Sequence, residues 1–442
     1  LAESYAARAA GLRPDKLALL SSFAIEFVQD PLMAYGFVNG VRLELYQAPY
    51  GAFRQELLDP GSRLQAESAD AVLLAVEGED WVPAAYRPDV HLTEAEWALA
   101  REAFRNELAS LVAKLRSVTA APLLVHNFAA PPWRALGILD ATSADGQARR
   151  VSELNQDMVS VAASALDVYI VDYAGLTQRH GLLNWHDARM RLYARAPIAQ
   201  PMLAPLAREY LKFIRSLVGY SRKCLVLDLD NTLWGGVIGE DGAEGIALGP
   251  TYPGSAYVEF QQHVLALHRR GVILAIASKN NPGDVEEVFA GNRFMLLRKE
   301  HFAEVQVHWE VKSESLRRIA GSLGIGLEHM VFVDDSPAEC EQVRAALPMV
   351  TVVQLPAQPE HYVAALHEDG WFDGLALSAE DMRRTELYRQ RASAEALRSD
   401  AGSVDDYYRA LDMELRVAPV DRASLKRAAQ LTQKTNQLNA TT

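Results

Sequence analysis

Cysteine is scarce in this sequence: 442 residues contain two, Cys224 and Cys340. That is too few for a disulfide framework, and it predicts a reducing, cytoplasmic setting. Positive charge is also in deficit, with 44 Lys and Arg against 57 Asp and Glu and a formal net charge of -13. Such a chain has no general grip on nucleic-acid backbones, so an anionic ligand must meet a local basic patch. No apolar run reaches membrane-spanning length, and the opening LAESYAARAAGLRPD lacks the basic, apolar and small-residue order of a secretory signal. The sequence therefore predicts no nucleic-acid partner and no membrane partner. Neither internal repeats nor low-complexity segments occur, and no Cys/His spacing converges on a zinc site. The first residue is Leu1 rather than Met, which predicts sequence upstream. What is present, 49% hydrophobic and 23% charged residues, reads as a soluble globular protein of two or three domains.

The chain is organised around KCLVLDLDNTLWGG, residues 223–236. The branched run Leu225, Val226, Leu227 predicts a strand buried on both faces, and it ends in Asp228 and Asp230. Residues two apart share one side of a strand, and ligands of open parallel sheets bind at the strands' C-terminal ends. Two acids so placed can divide labour: one attacks a phosphorus or acyl centre and the other handles a leaving-group proton, with a divalent cation offsetting their repulsion. An isolated DxD is weak evidence, since acids at strand ends are often solvated loop residues.

Further features follow in order. GVILAIASKNN, 271–281, predicts a second buried strand ending in Ser278, and MVFVDDSP, 330–337, a third ending in Asp334 and Asp335. After Ser278, Asn281 reads as a helix N-cap and Pro282 as its first residue, so a hydroxyl at a helix start makes a phosphate cradle. The alternative is that Ser278 only turns the chain. Lys312 begins an amphipathic helix, where an ammonium can neutralise both the nucleophile and a phosphoryl oxygen or simply be solvated. Asp334 and Asp335, with Asp228 and the backbone carbonyl of Asp230, make a hard, all-oxygen site suited to Mg2+. Between Asp230 and the helix expected from Ser255 to Gly271 there is room for glycine-rich turns and a flap, not a lid domain, and the same holds between Ser278 and Lys312. An uncovered site favours a large substrate or one presented on a carrier.

The N-terminal region, 1–200, reads as a separate α/β unit. Strands are predicted at 17–21, 41–46, 71–76, 122–126 and 168–171, with a helix over 92–117 opened by Thr93 and Glu96. Their alternation predicts a flavodoxin-like parallel sheet. Ser22, Asn127 and His186 resemble a degenerate SGNH-hydrolase layout, although no GDS block surrounds the serine and no Asp stands three residues before His186. Otherwise Ser22 is a turn residue and His186 a satisfied surface or interface histidine. Residues 201–222, with Leu206, Tyr210, Phe213 and Leu217 at helical spacing, predict a connecting helix packed against the second domain.

The order DxD, Ser278, Lys312, Asp334–Asp335 resembles the four motifs of the haloacid dehalogenase (HAD) superfamily. The wording CLVLDLDNTLWGGVIGEDG, FQQHVLALHRRGVILAIASKNN, HWEVKSESL and VFVDDSPAE looks like its FkbH-like family, subfamily IIIC. The likeness covers nearly the whole chain. It implies two parallel-sheet, three-layer α/β domains: an SGNH/flavodoxin-like unit, 1–200, and a capless, Rossmann-like HAD catalytic domain, 223–355. A helical tail over 356–412 and, over 413–442, the start of an acetyltransferase-like (GNAT-type) region follow. The activity implied is Mg2+-dependent removal of phosphate from 1,3-bisphosphoglycerate and loading of the glyceryl unit as a thioester on the phosphopantetheine arm of an acyl carrier protein, for polyketide-type pathways. Asp228 is then nucleophile and metal ligand, Asp230 general acid/base and metal ligand, Ser278, Lys279, Asn280 and Lys312 phosphate binders, and Asp334 and Asp335 metal ligands. Cys224 and Cys340 read as packing residues, which leaves any acyl-carrying residue unassigned. Two alternatives stand beside this: a phosphatase for another phosphoester without acyl transfer, and a carrier-docking module with degenerate catalysis.

Overall fold

A computed structural model describes residues 14–376 and residue 419. Five strands, β1 (Pro14–Ser21), β2 (Arg42–Gln47), β3 (Ala71–Ala75), β4 (Leu123–His126) and β5 (Val168–Val171), form a sheet of order β2-β1-β3-β4-β5. Every pairing in it is parallel. β2 at the sheet edge, RLELYQ, alternates, whereas β3 and the Leu17–Leu20 part of β1 are apolar because both their faces are covered. Alternation divides their side chains: Ala18, Leu20, Val72 and Leu74 face one core with Trp81, Phe104 and Leu108. Leu17, Leu19 and Leu73 face the other with Leu32, Tyr210 and Ile214. The helix Glu94–Val118 opens with the capping box of Thr93 and Glu96 that the sequence predicts.

The helix Leu203–Leu217 departs from expectation. It buries Leu206, Ala207, Tyr210, Leu211 and Ile214 in the first core rather than against the second domain. Its polar residues make the contacts to the second domain: Arg215 donates to the Asp369 carbonyl, Arg208 pairs with Glu368, and Ser216 donates to the Asp373 carbonyl at 2.9 Å. Helical spacing identified one apolar stripe, and that stripe is satisfied within the first domain.

The second sheet contains β6 (Cys224–Leu227), β7 (Ile273–Ser278), β8 (Phe302–Val307), β9 (Met330–Asp334) and β10 (Thr351–Gln354), in the order β10-β9-β6-β7-β8. All its pairings are parallel. The chain enters at the central β6, winds outward to β8, then returns to β9 on the other side. This reversal opens a crevice beyond the C-terminal ends of β6 and β9. Only a short helix, Ile238–Gly245, lies in the loop after β6, and between β7 and β8 stands one helix, Pro282–Gly291, with a 3-10 turn, so the domain is capless.

Two caps differ from the sequence reading. The helix expected from Ser255 starts at Gly254 without a side-chain cap, because its N-cap is Pro253, which has no side-chain acceptor; a Cβ at Gly254 would stand 2.7 Å from the Gly249 nitrogen. It closes at Gly271 as expected, with the Val272 amide reaching back to the Leu267 carbonyl at 3.1 Å. Asn281 occupies the N-cap position before Pro282, but its side chain bonds Asp284 and Trp309 instead of the helix amides. Of the expected helical tail, a 3-10 turn Pro359–His361 and the helix Tyr362–His367 are described. Residues 377–412 of it, and the acetyltransferase-like stretch 413–442 except Pro419, lie outside the described residues. No helix among the described residues is long and apolar enough to cross a membrane.

Candidate active site

The crevice of the second sheet gathers the acids. Asp228 follows β6 directly, its amide bonded to the Val333 carbonyl at 3.1 Å, so it stands beside the end of β9, where Asp334 is the last strand residue and Asp335 the next. Carboxylate oxygens of Asp228, Asp334 and Asp335 all lie within 4.8 Å of one another. Lys312, at the first position of the helix Lys312–Leu323, reaches into this group, with Nζ 2.9 Å from Asp228 Oδ2 and 2.5 Å from Asp334 Oδ2. It is 3% exposed, so the solvated helix-start lysine is not what the structure shows.

Charge crowding dominates the electrostatics. Burial, then the Asp228 and Lys312 charges acting in opposite senses, leave the Asp334 carboxyl above its usual range. Burial and the charges of Asp334 and Asp228 push Asp335 up to about 6. Burial pulls the Lys312 ammonium down, but Asp228 and Asp334 outweigh it and the net shift is upward. One ammonium thus serves three carboxylates. Asp228 Oδ1 is buried without a hydrogen-bond partner, as is the Thr232 hydroxyl. An orphaned anionic oxygen in a hard oxygen set is what a divalent cation satisfies, and the donor types fit Mg2+ retaining several waters.

The Asp230 carboxylate is placed elsewhere. Its Oδ1 accepts from Trp234 Nε1 at 2.9 Å and the Ile238 amide at 3.1 Å, and its Oδ2 accepts from Asn280 at 3.1 Å. Asp230 thus lies outside the three-carboxylate group, because donors of its own loop and of Asn280 hold its side chain. Burial raises its pKa against those hydrogen bonds, which suits a group that gives up and regains a proton. Ser278 and Asn280 are each 3% exposed and bonded to one another at 3.1 Å, which brings the end of β7 to Asp230. Lys279 pairs with Glu339 at 2.6 Å, so its ammonium is engaged by the helix Pro337–Ala346. Nothing in the sequence marks Glu339 as its partner.

Both thiols are buried. Cys224 begins β6 in the core, and burial pushes its pKa up to about 12. Burial and the charge of Asp334 do the same to Cys340, whose Sγ lies 3.6 Å from the Asp334 carbonyl.

At the corresponding edge of the first sheet, the residues singled out by sequence do not form a relay. Ser22 Oγ accepts from the Glu77 amide at 3.0 Å. Asn127 donates to Asp172 at 2.7 Å and accepts from the Ala174 amide at 2.8 Å. His186 Nδ1 is buried without a partner, and burial lowers the ring's pKa. Among the described residues no hydrogen bond joins Ser22, Asn127 and His186.

Two supporting residues escaped the sequence reading. Asn231, at φ +50°, locks the loop after Asp230 by accepting from the Gly236 amide at 2.8 Å. Its carbonyl accepts from Tyr362, a contact across 131 residues that no local pattern reveals. Gly235 is required beside them: a Cβ there would meet the Tyr257 ring at 2.7 Å.

Comparisons with known proteins agree with this architecture. Residues 16–215 match the FkbH N-terminal domain. A solved Bacteroides fragilis structure, described as the N-terminal part of the protein BF1531 containing a phosphatase domain and complexed with Mg, is 27% identical with a TM-score of 0.74, covering 83% of this chain and 96% of that one. A magnesium- and phosphate-bound HAD family enzyme from Bacteroides thetaiotaomicron, at 13% identity over 31% of this chain and 95% of that one, has a TM-score of only 0.23. No curated protein matches. Residues 16–215 are thus similar to the FkbH N-terminal domain, and most of the chain is similar to a Mg-complexed structure described as containing a phosphatase domain.

Proposed function

We propose that this protein is a Mg2+-dependent phosphoryl-transfer enzyme of the cytoplasm that dephosphorylates 1,3-bisphosphoglycerate and loads the glyceryl unit on the phosphopantetheine thiol of an acyl carrier protein. The observation that carries the phosphatase part is the placement of Asp228, Asp334, Asp335 and Lys312 in one crevice at the sheet's switch point. The Mg-bound B. fragilis relative supports the choice of cation. Asp228, Asp334 and Asp335 would hold it, and when bound it supplies charge neutralisation for the phosphoryl group.

The chain's own residues supply the rest. Asp228 attacks phosphorus, forming an Asp228–phosphorus bond as the bond to the leaving oxygen breaks, and Asp230 gives that oxygen its proton. Water then displaces phosphate from Asp228, passing its proton to Asp230. Lys312 and Ser278 hold phosphoryl oxygens, and Asn280 orients Asp230 through their 3.1 Å bond. Loading requires a second event, in which the carrier's sulfur bonds the acyl carbon as the carbon–oxygen bond to the acyl phosphate breaks, and the thiol proton leaves with the departing inorganic phosphate. Both cysteines are buried and protonated, so the acyl group passes straight to the incoming thiol. The capless crevice supports a substrate delivered on an arm, with the N-terminal domain as cover and carrier dock.

Intact-protein mass spectrometry of a holo-carrier protein incubated with the enzyme, 1,3-bisphosphoglycerate and Mg2+ tests this, with the Asp228→Asn variant as the inactive control. A carrier mass increased by one glyceryl unit is expected. Phosphate release with an unchanged carrier mass favours the second reading, a phosphatase for another phosphoester. The full set of crevice acids and Lys312 argues against a docking module that has lost catalysis.

A further inference from the structure

Residues 359–373 follow β10 and run back across both domains. At one end the Tyr362 hydroxyl donates to the Asn231 carbonyl at 2.7 Å. Tyr362 is 2% exposed, and Tyr257 and Phe260 hold its ring edge-on, with centroids 5.7 and 5.6 Å away at interplanar angles of 88° and 80°. Burial, Tyr257 and Asp335 push its hydroxyl far above the ordinary tyrosine range, so it remains a donor at every working pH. At the other end the segment is clamped. The Arg215 guanidinium lies 4.2 Å over the Trp371 ring and donates to the Asp369 carbonyl, while Ser216 and Ser221 each donate to the Asp373 carbonyl at 2.9 Å. Arg215 and Ser216 belong to the last helix of the N-terminal domain.

The catalytic loop depends on that far contact. Asn231 sits at φ +50°, where a residue with a Cβ is costly to hold, and its side chain is committed to the Gly236 amide. Its carbonyl takes a donor from outside the loop. Asp230 precedes it and Asp228 lies three residues back, so displacement of Asn231 moves both. Phosphoryl transfer is steep in such placement, because the nucleophile and the proton donor must meet the same phosphorus in line.

We infer that Tyr362 is a positioning residue for Asp228 and Asp230, and that the strap carrying it makes the N-terminal domain part of the framework that holds the nucleophile. The inference rests on the phosphoryl-transfer reading above. It assigns the N-terminal domain a role independent of any chemistry of its own.

The test uses the full chain with Mg2+ and p-nitrophenyl phosphate, well below the melting temperature. Tyr362→Phe is expected to lower kcat about tenfold, the equivalent of about 1.4 kcal/mol, at a KM within twofold of wild type. Titration calorimetry should show Mg2+ bound about threefold more weakly, because Asp228 is no longer held. Trp371→Leu, remote from the loop, should lower kcat as well, and the double variant should lose less than the product of the two single effects. A Tyr362→Phe variant with kcat within twofold of wild type overturns the positioning role. Multiplicative effects of Tyr362→Phe and Trp371→Leu overturn the role of the strap. If the wild type hydrolyses nothing, the reaction reading fails instead, and equal Mg2+ affinities of wild type and Tyr362→Phe then overturn the positioning role.

Discussion

The Lys312 ammonium lies 2.9 Å from the Asp228 carboxylate, with side chains only 4% and 9% exposed. A buried cation between acids holds the crevice together and, in the proposed reaction, would also present charge to a phosphoryl oxygen. Its removal should therefore act in opposite directions on metal and on catalysis. Lys312→Met leaves Asp228, Asp334 and Asp335 with no ammonium, so Mg2+ binds more tightly while kcat/KM falls by about 10² or more. In metal-free buffer the variant loses about 3 kcal/mol of stability, part of which Mg2+ restores. Calorimetric titration beside steady-state phosphate release checks both signs. Weaker Mg2+ binding by Lys312→Met would count against the arrangement.

Asp334 and Asp335 are expected to be needed for the metal itself. Replacing either with Asn removes an anionic oxygen from a group whose members lie within 4.8 Å of one another. Mg2+ affinity and activity should fall together, with activity partly recovered at high Mg2+. Unchanged affinity in both variants, measured by titration calorimetry, would make these acids structural.

The same crowding sets a pH dependence. Burial and its acidic neighbours raise Asp335 from 3.8 in the unfolded chain to about 6 in the folded protein. Between those values the folded state binds the extra proton, so this contribution to stability is fully present below about 4 and lost as pH rises through about 6. Metal-free wild-type protein should then show a melting temperature that declines over this interval relative to Asp335→Asn, which lacks the group. Mg2+ selects the ionised carboxyl, so its affinity climbs over the same interval and offsets the decline. Scanning calorimetry of both proteins, with and without Mg2+, reads each effect. A wild-type profile parallel to that of Asp335→Asn shows that Asp335 does not titrate there.

Much of this site is legible in the sequence because parallel sheets convert strand order into place. The runs ending in Asp228, Ser278 and Asp334 are strands buried on both faces, and alternation puts their last polar residues at one edge. What the sequence hides is long-range. Lys279 reads as a phosphate binder by its neighbours, yet a carboxylate 60 residues onward takes its ammonium. The stripe of the helix Leu203–Leu217 is visible, but which core receives it is decided by tertiary fit. This also bears on the choice of variants: a cut at residue 200 would strip Tyr210 and Ile214 from the first core, so point substitutions are the cleaner probes.

The N-terminal edge provides the last prediction. Ser22 would have to lose its proton to a base in order to attack an ester, and the base available by sequence is His186. In the structure Ser22 is 4% exposed and its Oγ is occupied by the Glu77 amide, Asn127 is tied to Asp172 and Ala174, and no hydrogen bond reaches His186 from either. Ser22 therefore acts as a turn residue that satisfies a backbone donor. Ser22→Ala strands the Glu77 amide and should cost about 1–2 kcal/mol of stability. Phosphate release and carrier loading should stay within twofold of wild type in Ser22→Ala and in His186→Ala, and a fluorophosphonate probe should leave Ser22 unlabelled. Labelling at Ser22 that His186→Ala eliminates would instead establish a working serine hydrolase in the first domain. The domain would then add a second reaction to the chain.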